Sequence, residues 1–177
     1  MLPNLSLVLG GANSGKSAFS ELLLRNTGLP RTYIATAQAF DSEMADKISA
    51  HRAARGTEWH TVEAPLRVAE ALTECAADGI ALLDCATLWL SNHLLANSDL
   101  EHECTGLMTA LQNAPCPVVV VSNEVGQGIV PDNQLARQFR AAQGRLNQRI
   151  AAQAGLVVSV IAGLPMVLKG ALPKEMS

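Results

Sequence analysis

Short, uninterrupted apolar runs alternate along this chain with longer stretches of helical periodicity. The runs are LSLVLG from Leu5, RTYIAT from Arg31, GIALLDC from Gly79, CPVVVVS from Cys116 and LVVSVIAG from Leu156. Continuous rather than alternating hydrophobicity suits strands of a mostly parallel sheet covered by helices on both faces. Between them, Lys16–Asn26, Ser42–Arg55, Pro65–Ala77 and Asp132–Ala154 read as helices. The last carries one apolar stripe, Leu135, Phe139, Ala142 and Leu146, with Pro131 and Asp132 as start signals and Gly155 as a stop. Ser91–Ala114 reads as helix broken by a loop near Asn97–Asp99, and LPMVLKG from Leu164 as a short antiparallel edge strand. Gly144, inside the Asp132–Ala154 helix, suggests close packing against another backbone, because glycine there costs roughly 1 kcal/mol against alanine.

Composition narrows the class. With 177 residues, 49% of them hydrophobic, the chain is long enough for one domain, residues 1–177, with its own core. A net charge of −3 and 3% aromatic residues argue against a general nucleic-acid binder. The four cysteines, Cys75, Cys85, Cys104 and Cys116, are scattered without a C-x-x-C pair and read as reduced, buried side chains. MLPNLSLVLGG lacks a basic leader region and no apolar run reaches membrane-spanning length, so a cytoplasmic protein is expected.

The sharpest chemical signal is Gly10-Gly11-Ala12-Asn13-Ser14-Gly15-Lys16-Ser17, a complete G-x-x-x-x-G-K-S phosphate loop between a predicted strand and a predicted helix. Its glycines allow backbone geometry and close approaches that side chains would block. Consecutive N–H groups at a helix N-terminus then cradle phosphates, Lys16 adds a positive charge, and the Ser17 hydroxyl can ligate Mg²⁺. Asp84, ending an apolar strand, is the expected second group for the metal, since a carboxylate placed there needs a cation or donors. Glu124, after VVVVSN, is a further candidate by the same argument.

His51 is the histidine of most interest. It borders an apolar helix face with Met44 and Ile48, yet Lys47, Arg52 and Arg55 surround it, which favours a neutral, nucleophilic imidazole. His60, His93 and His102 read as structural, and the histidine spacing predicts no zinc site. Arg137, Arg140, Arg145 and Arg149 make the Asp132–Ala154 helix basic, suited either to a salt-bridged surface or to an anionic ligand.

These segments, GGANSGKS, YIATAQ, EMADKISAHRAARG, W-x-T-V-E at Trp59, LLDCATLWLSN and SNEVGQGIVP…LARQFR…GRLNQRIA, occur in an order that resembles the bifunctional adenosylcobinamide kinase/adenosylcobinamide-phosphate guanylyltransferases. The resemblance runs from about Leu5 to Lys169. It implies a RecA-like P-loop fold, commonly a homotrimer, acting on adenosylcobinamide and then on its phosphate, with ATP or GTP as phosphoryl donor, GTP as guanylyl donor and Mg²⁺ as cofactor. It also implies a guanylyl-histidine intermediate on His51 and nucleotide contacts from Gly10–Ser17, from Ala35, Thr36 and Ala37, from Arg52, Ala53, Ala54 and Arg55, and from Glu63 and Asp84. Asn13 stands where relatives often have arginine, and Ala50 where some have a second histidine. A plain P-loop small-molecule kinase with a structural His51 is the alternative. A nucleotide switch is disfavoured by the lack of an N-K-x-D motif.

Overall fold

The computed structural model describes residues 2–39 and 56–176. The predicted helix Ser42–Arg55 therefore lies outside the described residues, together with His51, Arg52, Ala53, Ala54 and Arg55. The elements run β1 (Leu5–Gly10), α1 (Lys16–Arg25), β2 (Arg31–Ala35), β3 (Trp59–Glu63), α2 (Val68–Thr73), β4 (Ile80–Asp84), α3 (Ala86–Leu95), α4 (Leu100–Gln112), β5 (Val118–Asn123), α5 (Gln134–Gln153), β6 (Leu156–Ile161) and β7 (Leu164–Lys169). The strands form one sheet in the order β3-β2-β4-β5-β1-β6-β7. All pairings are parallel except β6 with β7.

Alternate residues of these strands feed two cores. Leu5, Leu7, Leu83, Val118 and Val120 pack with Val68, Trp89, Leu107 and Leu146 from α2, α3, α4 and α5. Val8, Leu82, Val119, Val121 and Val158 pack on the other face with Phe19, Leu23 and Leu24 of α1. Both faces are thus dry, which is why the strands read as continuous apolar runs.

Several boundaries differ from the sequence expectation. β3 escapes the apolar-run criterion because Trp59 is buried while His60 and Glu63 are exposed, the pattern of an edge strand held by packing on one side. Arg31 braces it by an ion pair to Glu58 at 2.8 Å and lies over the Trp59 ring at 5.5 Å. α3 begins at Ala86 rather than Ser91, because Cys85 Sγ accepts from Leu88 N and caps it directly after β4. α2 is shorter than Pro65–Ala77, and α5 is capped by Asn133, whose Oδ1 accepts from Ala136 N at 2.8 Å, rather than by Asp132. Gly155 does follow the end of α5; a Cβ there would lie 2.7 Å from Pro3. Gly144 does not pack against another backbone: an added Cβ would meet nothing within 4 Å. The loop at 97–99 is present, Asp99 capping α4 through Glu101 N and His102 N.

Within the α5 face sits a polar cluster that the apolar stripe conceals. Gln143 and Asn147 are buried, Gln143 Nε2 donates to Ser122 Oγ at 2.9 Å, and Ser122 Oγ donates to Asn147 Oδ1 at 2.7 Å. Asn147 Nδ2 donates to Asn123 O at 3.1 Å, and Thr87 Oγ1 accepts from Asn123 N at 2.7 Å. The cluster fastens the carboxyl end of β5 to α3 and α5. Asn147→Leu would strand Asn123 O and remove the acceptor that Ser122 Oγ and Gln143 Nε2 share, although Gln143 Nε2 still donates to Ser122 Oγ; a buried group left without a partner costs about 1–3 kcal/mol. Denaturant titration should show Asn147→Leu destabilised by about 2–4 kcal/mol; a loss below about 0.5 kcal/mol would mean the cluster does not hold β5.

Candidate nucleotide site

The Gly10–Ser17 loop leaves β1 and closes into α1. Gly15, the α1 N-cap, has φ +94°, a left-handed conformation that glycine adopts without strain. Asn13 is also left-handed, at φ 54°, where asparagine is tolerated better than most residues. At Gly10 an added Cβ would lie 2.7 Å from Val160 O and would collide with the Ser14 hydroxyl, so the close approach expected of this glycine is real. Lys16 Nζ donates to Gly11 O at 3.0 Å. Two backbone bonds fix the loop from outside: Glu124 N donates to Gly10 O at 3.1 Å, and Gly163 N, in the β6–β7 turn, donates to Ser14 O at 2.8 Å.

The register aligns the remaining described candidates at the same sheet end. Ala35 pairs with Glu63 on one side and with Asp84 on the other, making a row across β3, β2 and β4. β5 alone separates Asp84's strand from β1. Four strand spacings lie between β3 and β1, roughly 19 Å. Glu63 therefore stands far from the phosphate loop, on a line that passes Ala35 and Asp84. Carboxyl ends of parallel strands in open α/β sheets are where ligands bind.

Local bonds set this row. Tyr33 OH donates to Asp84 Oδ2 at 2.8 Å. Thr36 is fully buried; its hydroxyl donates to Cys85 O and accepts from Cys85 N, both at 2.8 Å, and its carbonyl accepts from Asn92 Nδ2 at 2.9 Å. Thr36 thus ties the end of β2 to the start of α3, while Ala35 and Ala37 flank it half-buried. Burial, and next to it the charge of Asp84, push the Cys85 thiol up to about 11, so it stays protonated and is no nucleophile.

A divalent cation suits this donor set only in company with phosphates. Ser17 in the first turn of α1 and Asp84 offer few ligands, and no group of three or more His, Cys, Asp or Glu side chains among the described residues could cage a metal. Mg²⁺ ordinarily keeps several waters and binds through one or two protein groups plus substrate phosphates.

One Glu124 carboxylate oxygen accepts from Gly126 N and shapes its own loop. Arg137 Nη1 donates to Pro131 O and Asp132 O, and Arg140 donates to Ile129 O and Gly126 O, so these arginines pin the 124–132 loop. Arg149 pairs with Glu101 at 2.9 Å. His93 is structural, buried against Trp89 with ring nitrogens near Ser98 Oγ and Leu66 O. All four cysteines are buried and free. The residue that the sequence pattern overlooks is Asn123, at the end of β5 beside the loop; only the sheet order reveals its position.

Comparison with known proteins agrees with this geometry. A solved ATPase of the type III secretion system of pathogenic bacteria shares the fold with a TM-score of 0.55 at 9% identity, over 94% of this chain and 57% of that one. The bifunctional adenosylcobalamin biosynthesis protein CobP of Pseudomonas aeruginosa is 46% identical over 93% of this chain and 96% of its own. CobU of Salmonella typhimurium, also named as a bifunctional adenosylcobalamin biosynthesis protein, is 39% identical over 92% and 98%. The model of the cobinamide kinase/cobinamide phosphate guanyltransferase family matches residues 6–168. With a P-loop NTPase-like sheet and a match over nearly its whole length, the chain belongs to the cobinamide kinase/cobinamide phosphate guanyltransferase family.

Proposed function

We propose that this protein phosphorylates the aminopropanol hydroxyl of adenosylcobinamide from a nucleoside triphosphate and then transfers GMP from GTP to that phosphate. The observation that carries this reading is the Gly10–Ser17 loop, at the same sheet end as Ala35, Glu63 and Asp84, in a chain whose family match covers residues 6–168.

In the kinase step the loop N–H groups and Lys16 hold the phosphates, and the acceptor hydroxyl attacks the γ-phosphorus as the bond to the nucleoside diphosphate breaks. Phosphoryl transfer asks the protein mainly for positioning and charge neutralisation. Ser17 and Asp84 would hold Mg²⁺ together with the nucleotide, and the ion would there supply further neutralisation of charge. In the second step His51 attacks the α-phosphorus of GTP and pyrophosphate departs. An oxygen of adenosylcobinamide phosphate then displaces the imidazole, giving adenosylcobinamide-GDP and free histidine. A neutral imidazole suits this role because it attacks readily and leaves readily. Ala35, Ala37 and Glu63 then contact the nucleoside, with buried Thr36 positioning that stretch through its bonds to Cys85 and Asn92 and with Arg52, Ala53, Ala54 and Arg55 beside His51.

A homotrimer completes the reading. Ile161, Leu164 and Met166 share one face of the β6–β7 hairpin and are 61%, 73% and 51% exposed, an apolar patch of the kind that marks association surfaces. No described helix is long and apolar enough to cross a membrane, which fits a cytoplasmic site of action.

Lys16→Ala should lower both activities by at least about 10²–10³-fold, the usual cost of losing one preorganised charge on the reacting group. Steady-state assays of both steps test this, and full guanylyl transfer in that variant would contradict a shared site. His51→Ala should lower guanylyl transfer by roughly 10⁴–10⁶-fold, as loss of a nucleophile does, while retaining part of the kinase rate. An unchanged transferase rate would leave the plain kinase reading. Sedimentation equilibrium should give the mass of three chains; a monomer at micromolar concentration would contradict the trimer.

A further inference from the structure

β5 ends inside the site. The register pairs Asn123 with Gly10 and Val121 with Asp84, so Asn123 stands between the phosphate-loop strand and the strand that carries Asp84. Alternation along β5 puts Val119 and Val121 in the core under α1, and Asn123 next in line on that face. Asp84, two residues beyond Leu82, lies on the same face, bonded there to Tyr33. The loop itself passes into α1 over this face. Ser122 points the other way, into the Gln143–Asn147 cluster.

The Asn123 main chain is pinned on both sides, its N–H on Thr87 Oγ1 and its carbonyl under Asn147 Nδ2. Its side-chain Oδ1 is buried and has no hydrogen-bond partner among the described residues. A buried amide oxygen without a donor is uncommon in a native fold and calls for a water, an ion or a ligand as its partner; Gln143 Oε1, in the cluster on the opposite face, is a second such atom, but it lies away from the loop and Asp84. Chemistry limits what that partner is. Phosphate oxygens only accept hydrogen bonds, so the triphosphate cannot satisfy Oδ1. Lys16 Nζ gives one of its three protons to Gly11 O, and in the proposed site the others serve the phosphates. Water ligands of a divalent cation are strong donors, and such a cation keeps several of them when it binds with phosphates.

We propose that Asn123 is a positioning residue for the nucleotide-bound cation: its Oδ1 accepts a hydrogen bond from a water ligand of the hydrated metal, beside Asp84 and Ser17. This rests on the reading of the loop as a nucleotide site. It gives the Gln143–Asn147–Ser122–Thr87 cluster a purpose beyond packing, since that cluster sets where Asn123 stands.

The test is Mn²⁺ binding followed by electron paramagnetic resonance, in the presence of guanylyl imidodiphosphate, together with metal-free binding of the same analogue. Asn123→Ala should weaken Mn²⁺ in the ternary complex by about tenfold or more, the usual cost of losing a partner of a metal's ligand. Metal-free analogue affinity should change by less than about twofold, because no phosphate contact is lost. Asn123→Asp keeps the shape and the acceptor, guards against a folding defect, and should restore Mn²⁺ affinity. Unchanged Mn²⁺ affinity in Asn123→Ala would overturn the proposal, as would an equal loss in metal-free binding or a failure of Asn123→Asp to restore the metal. A wild-type protein that binds the analogue with no Mn²⁺ would also overturn it while sparing the nucleotide site; one that binds neither would overturn the site reading itself.

Discussion

Two backbone hydrogen bonds hold the phosphate loop in place, and the rest of the site is arranged around them. Glu124 N reaches Gly10 O from the end of β5, and Gly163 N reaches Ser14 O from the β6–β7 turn. Both require main chains to approach more closely than side chains allow. Gly10 has Val160 O where its Cβ would lie, and Gly15 has Gly163 Cα at 3.1 Å from the same imagined atom. The loop is therefore a product of its neighbours in the sheet as much as of its own eight residues. A two-residue turn with Ala162 at φ 52° and Gly163 at φ 80° brings β7 back and leaves Gly163 N facing the loop.

That constraint explains the polar cluster behind β5. Glu124 can meet Gly10 only if the end of β5 is fixed, and the last strand residues are where parallel pairing runs out. Ser122, Gln143, Asn147 and Thr87 replace the missing ladder with side-chain bonds. Buried polar networks of this sort favour one geometry; here every polar atom bonded across β5 is paired, and Gln143 Oε1 is left without a partner among the described residues. On the far side, Thr36 does the same for the β2 end by bonding both main-chain groups of Cys85. The row from Glu63 to Gly10 is thus set by register and then locked by one hydroxyl and one amide cluster.

Much of this was legible from residue order. Buried strands announce themselves as apolar runs, and the loop motif fixes the β1–α1 junction within a residue. β3 was not legible, because an edge strand with one buried face carries a five-residue pattern too short to distinguish from loop. The α3 start carries little signal because Cys85 is an unusual cap and the helix it starts is buried on most sides, polar Thr87, Asn92 and His93 together with apolar Ala86, Trp89 and Leu90, so it shows no clean amphipathic stripe. Glu124 and Asp84 look alike in sequence, each an acid after an apolar strand. Only the fold separates them: Asp84 meets Tyr33, and Glu124 folds onto Gly126. Asn123 carried no signal at all, since its meaning depends on β5 lying between β1 and β4. The family motifs carried what the physics of residues alone could not, above all the weight placed on His51.

On the proposed reading, one chain directs attack on two different phosphorus atoms of a nucleotide, the γ-phosphorus by the substrate hydroxyl and the α-phosphorus by its own imidazole. The most direct measurement is to incubate the protein with Mg²⁺ and GTP labelled at the α-phosphate, denature it, and map any label to a peptide. Acid-labile, alkali-stable label is expected on the peptide containing His51, released as adenosylcobinamide-GDP when adenosylcobinamide phosphate is added before denaturation. Absence of label, or label on any other residue, would contradict it.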